Sequence, residues 1–206
     1  MTLRCAVFAI LAASAFTSAS AEDADYAFCT VCHGANGNGN PAISAPKIAG
    51  IEPWYLKRQL QHFRGGLRGT QPNDIPGAEM QPVGMQLEDA TIEKVAAYIG
   101  TFEPHVPAPT VTGNAKHGRD LYAPCAGCHG ARGEGNAQLQ APALAGQTDW
   151  YLVTQIERFR AGQRGFSPQD EWGAQMRAAA AVLPDDAAVK DVVAYINRLS
   201  ARHSRT

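Results

Sequence analysis

Cys29-Thr30-Val31-Cys32-His33 and Cys125-Ala126-Gly127-Cys128-His129 decide how this chain is read. The two stretches lie 96 residues apart, and the surroundings of one recur around the other. At the same offset Pro46 falls on Pro142, Gly50 on Gly146 and Trp54-Tyr55-Leu56 on Trp150-Tyr151-Leu152. Phe63-Arg64 falls on Phe159-Arg160, Arg68-Gly69 on Arg164-Gly165, and Gly77-Ala78-Glu79-Met80 on Gly173-Ala174-Gln175-Met176. Between residues 26 and 80, 28 of 55 positions are identical to their counterparts. A period this long exceeds any stacked-repeat unit and marks a duplicated domain.

Working outward, residues 22–103 form the first copy, residues 104–113 a linker and residues 114–206 the second copy. The linker contains Pro104, Pro107 and Pro109, so it should be stiff and extended. A copy this small has a modest core of its own, and a buried prosthetic group would supply apolar interior. The apolar periodicity is helical: Leu56, Leu60, Phe63 and Leu67 follow Pro53, and Ile92, Val95, Ala96 and Ile99 follow the candidate caps Asp89 and Thr91. The second copy repeats it with Leu152, Ile156 and Phe159, then with Val189, Val192, Val193 and Ile196 behind Pro184 and Asp185. Gly-rich stretches after each motif read as loops, and no alternating strand pattern is present. The expected fold class is all-α.

Residues 1–21 are set apart from the fold. Arg4 precedes the uncharged apolar run Cys5–Phe16, and Ala19-Ser20-Ala21 fits a cleavage site before Glu22. This is the pattern of an export signal, and the run is short for a membrane span. From Glu22 onward the chain has 17 basic and 19 acidic side chains. Residues 22–110 hold 6 basic and 10 acidic, residues 111–206 hold 11 and 9, so the halves differ in sign. No basic stripe dominates, which argues against nucleic-acid binding. The asymmetry could orient the molecule on a charged partner. With 45% hydrophobic and 18% charged residues, the composition is that of a folded chain.

C-x-x-C-H is the attachment sequence of c-type haem. Two thiols add across the porphyrin vinyl groups, and the adjacent histidine ligates the iron. Cys29, Cys32, Cys125 and Cys128 are therefore candidate attachment points, and His33 and His129 candidate proximal ligands. A single such motif could also serve as half a zinc site or as a redox dithiol. Zinc would need further ligands, and His62, His105, His117 and His203 do not repeat. Met80 and Met176 each follow the proximal histidine by 47 residues, in what reads as a Gly-Ala-Glu/Gln-Met loop, and are the candidate sixth ligands. Met85 competes in the first copy but has Ala181 as counterpart. Pro46 and Pro142 lie 13 residues after the histidines, where a backbone carbonyl could accept an imidazole N–H. Trp54, Tyr55, Trp150 and Tyr151 could donate to haem propionates, and Arg64, Arg68, Arg160 and Arg164 could pair with them. The aromatics read equally well as core, and the arginines as a solvated helix face.

With these residues in place, the chain resembles the two-haem cytochromes c of the cytochrome c4 family, over residues 24–200. The resemblance also rests on the closing helices ending in Tyr98 and Tyr195. It implies two class I cytochrome c folds with His–Met ligation and haems close together. It implies a periplasmic electron carrier and not an enzyme, exchanging electrons with a quinol–cytochrome c reductase, a terminal oxidase or a dehydrogenase. The alternative is an electron-transfer subunit of a dehydrogenase acting on sulfide, thiosulfate or an alcohol. No transmembrane segment is expected from Glu22 onward, and peripheral association with a membrane stays open. One departure is visible: Gly118 in the second copy has Glu22 as its counterpart, which leaves the packing of the first N-terminal helix in question.

Overall fold

The computed structural model describes residues 25–203, and the expected export signal and the position of Glu22 lie outside them. Among the described residues there are helices and loops, and the only extended pairings are the isolated bridges Asn40–Ala45 and Asn136–Ala141. Among the described residues, each copy contributes four complete α-helices. In the first they are α1 (Thr30–His33), α2 (Pro53–Arg64), α3 (Ile75–Met85) and α4 (Asp89–Ile99); in the second, α5 (Ala115–His129), α6 (Asp149–Arg160), α7 (Glu171–Ala180) and α8 (Asp186–His203). Helices α2 and α6 occupy matching positions in the two copies.

The core of the second copy is built on α8. Val189, Val192, Val193 and Ile196 recur at i, i+3, i+4 and i+7, which puts them on one face, and all are at most 1% exposed. They meet Tyr122 of α5 and Leu152, Ile156 and Phe159 of α6. The first core is smaller: Tyr26, Ile48, Leu56, Val95, Ala96 and Ile99. The difference begins at the N-terminus. Helix α5 runs through 15 residues and crosses α8 closely. The crossing depends on Gly118, where a Cβ would come within 1.8 Å of the Asp191 carbonyl oxygen. Over the described residues of the first copy, the helical Asp25 and Tyr26 lead into a 3-10 turn at Ala27–Cys29 and the four residues of α1.

Two sequence expectations are corrected. Met80 and Met176 do not sit in loops: each lies inside a helix, α3 or α7. The Gly-Ala pair looked like a turn, but the helix starts upstream, at Asp74 and Asp170. These carboxylates accept a hydrogen bond from the Gly77 and Gly173 N–H groups at 3.1 and 2.9 Å and cap the first turn. The glycine is required there, because a Cβ on Gly77 or Gly173 would come within 2.1 or 2.0 Å of the capping carboxylate. The second correction concerns α4. Its N-cap is Glu88, without a side-chain cap bond, and Asp89 is bonded instead to Arg64 of α2. Thr91 is an ordinary helical residue.

Residues 103–114 have no regular structure. The end of this segment is pinned to the second copy by Asp149, whose carboxylate accepts the Thr110 and Val111 N–H groups at 2.6 and 2.7 Å. Asn197 and the Thr110 hydroxyl add two more bonds. Burial would raise the Asp149 pKa, but these donors outweigh it and hold the carboxyl below its ordinary range.

Gly118→Ala gains helix propensity of about 1 kcal/mol and drives a methyl into the α8 backbone. The collision wins. The expected result is a net loss of about 1–3 kcal/mol in stability, read from urea unfolding of the holoprotein.

Candidate haem sites and the face between the copies

The histidines of both motifs are built alike. His33 is 8% exposed and His129 7%, each at the end of its helix. Each imidazole donates from Nδ1 to the carbonyl oxygen 13 residues on, His33 to Pro46 and His129 to Pro142, at 2.8 Å in both copies. That bond fixes the tautomer and leaves the Nε2 lone pair to bind iron. Burial holds both imidazoles below their ordinary pKa, so they are neutral, as a ligand must be.

Two tyrosines that the motif reading passed over steady these turns. Tyr26 donates to the Gly34 carbonyl at 2.7 Å and Tyr122 to Gly130 at 2.8 Å, closing the turn just past each histidine. Burial pushes the Tyr26 phenol up to about 12 and the Tyr122 phenol higher still. Their identity at the 96-residue offset was the signal that could have singled them out.

In the second copy Cys125, Cys128, His129, Pro142 and Met176 line one cavity with Tyr151 and Leu152. This brings the expected attachment residues, proximal ligand and sixth-ligand candidate together around one space. In the first copy Met80 is half-buried on α3, whereas Met85 at the end of that helix is 61% exposed. No disulfide joins the four motif cysteines to one another. Among the described residues, no three His, Cys, Asp or Glu side chains cluster as a metal site.

The arginines separate into two kinds. Arg64 is bonded to the Leu87 carbonyl and Asp89, and Arg160 to Asp186, within their own copies. Arg68 and Arg164 are buried and meet between the copies. Arg68 donates to Gln59 at 2.8 Å and across the interface to Gln155 at 3.2 Å. Arg164 donates to Gln155 at 2.7 Å and across to Gln59 at 2.9 Å. It also reaches the Tyr55 hydroxyl at 3.3 Å. The contacts are reciprocal, as in an isologous dimer interface. Burial alone would raise the Tyr55 phenol, but the guanidiniums of Arg164 and Arg68 pull it below its ordinary value. Trp54 lies edge-on to Tyr55, with Arg58 over both rings, and Trp150 lies edge-on to Tyr151.

Further ties across this face are Arg58 to Gln140, Glu52 to the Ala143 N–H, Lys47 to the Gly146 carbonyl, Gln147 to the Lys47 carbonyl and Gln163 to the Pro72 carbonyl. Two ion pairs complete it: Arg158 to Asp74 at 3.0 Å and His62 to Asp170 at 3.8 Å. Sequence reasoning missed Gln59, Gln155, Asp74 and Asp170, although all four repeat at the common offset.

The face is also incomplete in a particular way. The Nε groups of Arg68 and Arg164 and the Gln155 amide nitrogen are buried without an acceptor. Gln155 and Arg164 line the cavity that holds His129 and Met176. Buried donors without partners suit a group with carboxylates, and the haem propionates are such a group.

The cytochrome c family model matches residues 23–103 and again residues 115–200. Cytochrome c4 of Stutzerimonas stutzeri is 32% identical over 204 residues, covering 93% of this chain and 92% of that protein. The chain belongs to the cytochrome c4 family. The crystal structure of reduced recombinant cytochrome c4 from Pseudomonas stutzeri superimposes with a TM-score of 0.65 at 30% identity, covering 85% of this chain and 95% of that one. A thiosulfate dehydrogenase electron acceptor of Thiomonas intermedia strain K12 is 33% identical over 153 residues, covering 69% of this chain and 67% of that protein. The chain is accordingly a dihaem electron-transfer cytochrome with two class I cytochrome c domains and two covalent haem c groups, and the C-x-x-C-H motifs at Cys29/Cys32 and Cys125/Cys128 are consistent with their attachment.

Asp74 is both a helix cap and the buried partner of Arg158. Asp74→Ala removes the cap and leaves Arg158 unpaired between the copies. The expected cost is about 3–5 kcal/mol, read as a fall in the urea midpoint of the holoprotein.

Proposed function

We propose that this cytochrome is a mobile periplasmic carrier, exported with cleavage after Ala21, that passes electrons between respiratory partners and has no catalytic site of its own. The domain limits are those of the repeat: 22–103, linker 104–113 and 114–206. His33 and Met80 ligate one iron, His129 and Met176 the other. Each bound haem supplies a one-electron Fe(III)/Fe(II) couple.

The chain's own residues do the rest. Pro46 and Pro142 orient the imidazoles through their carbonyls. The thioethers of Met80 and Met176 would ligate the irons and raise their reduction potential, chemistry suited to electron transfer. Of the four candidate arginines, Arg68 and Arg164, with Tyr55 and Tyr151, hold the propionates at the face between the copies, because Arg64 and Arg160 are engaged within their own copies. The observation that carries this reading is the single cavity of the second copy, where both thiols of the motif, the oriented imidazole and Met176 meet. Among the described residues no helix is long and apolar enough to cross a membrane.

The partner on the reducing side is proposed to be a dehydrogenase. The thiosulfate dehydrogenase electron acceptor among the relatives favours an enzyme oxidising an inorganic sulfur compound. A second reading, a fixed subunit of such an enzyme, differs only in the strength of the association. Stable co-purification with a catalytic subunit supports it, and isolation as a free cytochrome supports the carrier.

The test of the ligands is the far-red charge-transfer band of the oxidised protein, normalised to haem content. It should show two iron–thioether bonds per chain, and Met176→Ala should remove about half the band and lower one potential. An unchanged band and potential in that variant exclude Met176 as a ligand.

A further inference from the structure

The two ion pairs across the face are the same contact made twice with one difference. Position 62 of the first copy corresponds to position 158 of the second, and Asp74 corresponds to Asp170. Arg158 of α6 reaches Asp74, the cap of the helix carrying Met80. His62 of α2 faces Asp170, the cap of the helix carrying Met176. Each copy therefore holds the first turn of the other's methionine-bearing helix. One holder is permanently charged and the other can titrate.

We propose that His62 is a positioning residue that, through Asp170, takes up a proton when the C-terminal site receives an electron, which gives this site a pH dependence between pH 5 and 8 that the other site lacks. The proposal rests on the electron-carrier reading. The balance is simple: the redox partner supplies one electron, solvent supplies one proton, and the neutral imidazole becomes imidazolium while Fe(III) becomes Fe(II).

His62 is placed for this. Its side chain is 14% exposed, so it is largely desolvated yet still reached by solvent protons. It lines the same cavity as His129 and Met176. The charged groups facing it are Asp170 at the start of α7, Arg58 on its own helix, Arg68 just beyond that helix and Arg164 from the second copy. Burial lowers its pKa first, Asp170 works against that, and the three guanidiniums add to the lowering. The imidazole is thus neutral at rest with a carboxylate waiting beside it. An electron arriving in the shared cavity adds negative charge and favours the protonated form. By linkage the potential of that site falls as pH rises through the His62 pKa. A one-unit difference in this pKa between the two oxidation states is about a tenfold change in the Fe(II)/Fe(III) ratio at fixed potential.

The test is spectroelectrochemical titration of both potentials of the holoprotein between pH 5 and 8, in the wild type and in His62→Arg, His62→Gln and Arg158→His. Propionate ionisation contributes to every curve and cancels in the comparison. The expected result is that both His62 variants lose part of the pH dependence of one potential, and that Arg158→His confers new dependence on the other. Wild-type pH profiles in both His62 variants overturn the proposal while leaving two reversible one-electron couples intact. Loss of those couples at every pH in the wild type would count against the carrier reading itself.

Discussion

Two guanidiniums buried together without a carboxylate between them are the constraint to which the rest of the interface answers. Arg68 and Arg164 share Gln59 and Gln155 as acceptors, and each lies over a phenylalanine ring of its own copy, Phe63 at 4.4 Å and Phe159 at 4.3 Å. Neutral amides and ring faces soften the repulsion without cancelling the charge, and buried cations need a counter-ion. The pull on the Tyr55 phenol shows the same excess of positive field. An anionic group bound at this face would complete its electrostatics. Folding of the two copies against each other and loading of the haems are on this view linked events.

The capping aspartates extend that logic outward. Asp74 and Asp170 end the helices that carry the methionines, and each is contacted by the opposite copy. A helix start is then fixed by two independent demands, its own orphan N–H groups and a cation from the neighbour. Sliding or opening of the face would loosen the helix and so the position of its methionine. The start of each methionine-bearing helix is in this sense partly built by the other copy.

Much of this was legible in the sequence because duplication writes each functional position twice. The imidazoles of His33 and His129 meet the carbonyls of Pro46 and Pro142 as the 13-residue spacing suggested, since a short spacing dictates short-range geometry. The placement of Met80 and Met176 in helices was not legible: Gly-Ala reads as a turn unless Asp74 and Asp170 are recognised as caps three residues earlier. Glu88 was missed as the start of α4 because the more obvious cap, Asp89, is bonded to Arg64. The face between the copies was hidden for a different reason. Its partners are separated by 82 to 109 residues, and no local period reports such a contact. What the sequence did hold was the repetition of Gln59, Arg68 and Asp74 at Gln155, Arg164 and Asp170, which helix faces alone do not require.

The attachment of Thr110 and Val111 to Asp149 has a consequence for how firmly the copies must bind each other. With its end fastened to the second domain, the free part of the connecting segment is shortened to a few residues. A short tether of this kind keeps the first domain at an effective concentration on the order of millimolar relative to its neighbour. An interface made of amides, ion pairs and backbone contacts would be too weak to join two separate chains at ordinary cellular concentrations. Held by this tether it stays closed, and it can remain polar enough to let protons and charge rearrange without the halves coming apart.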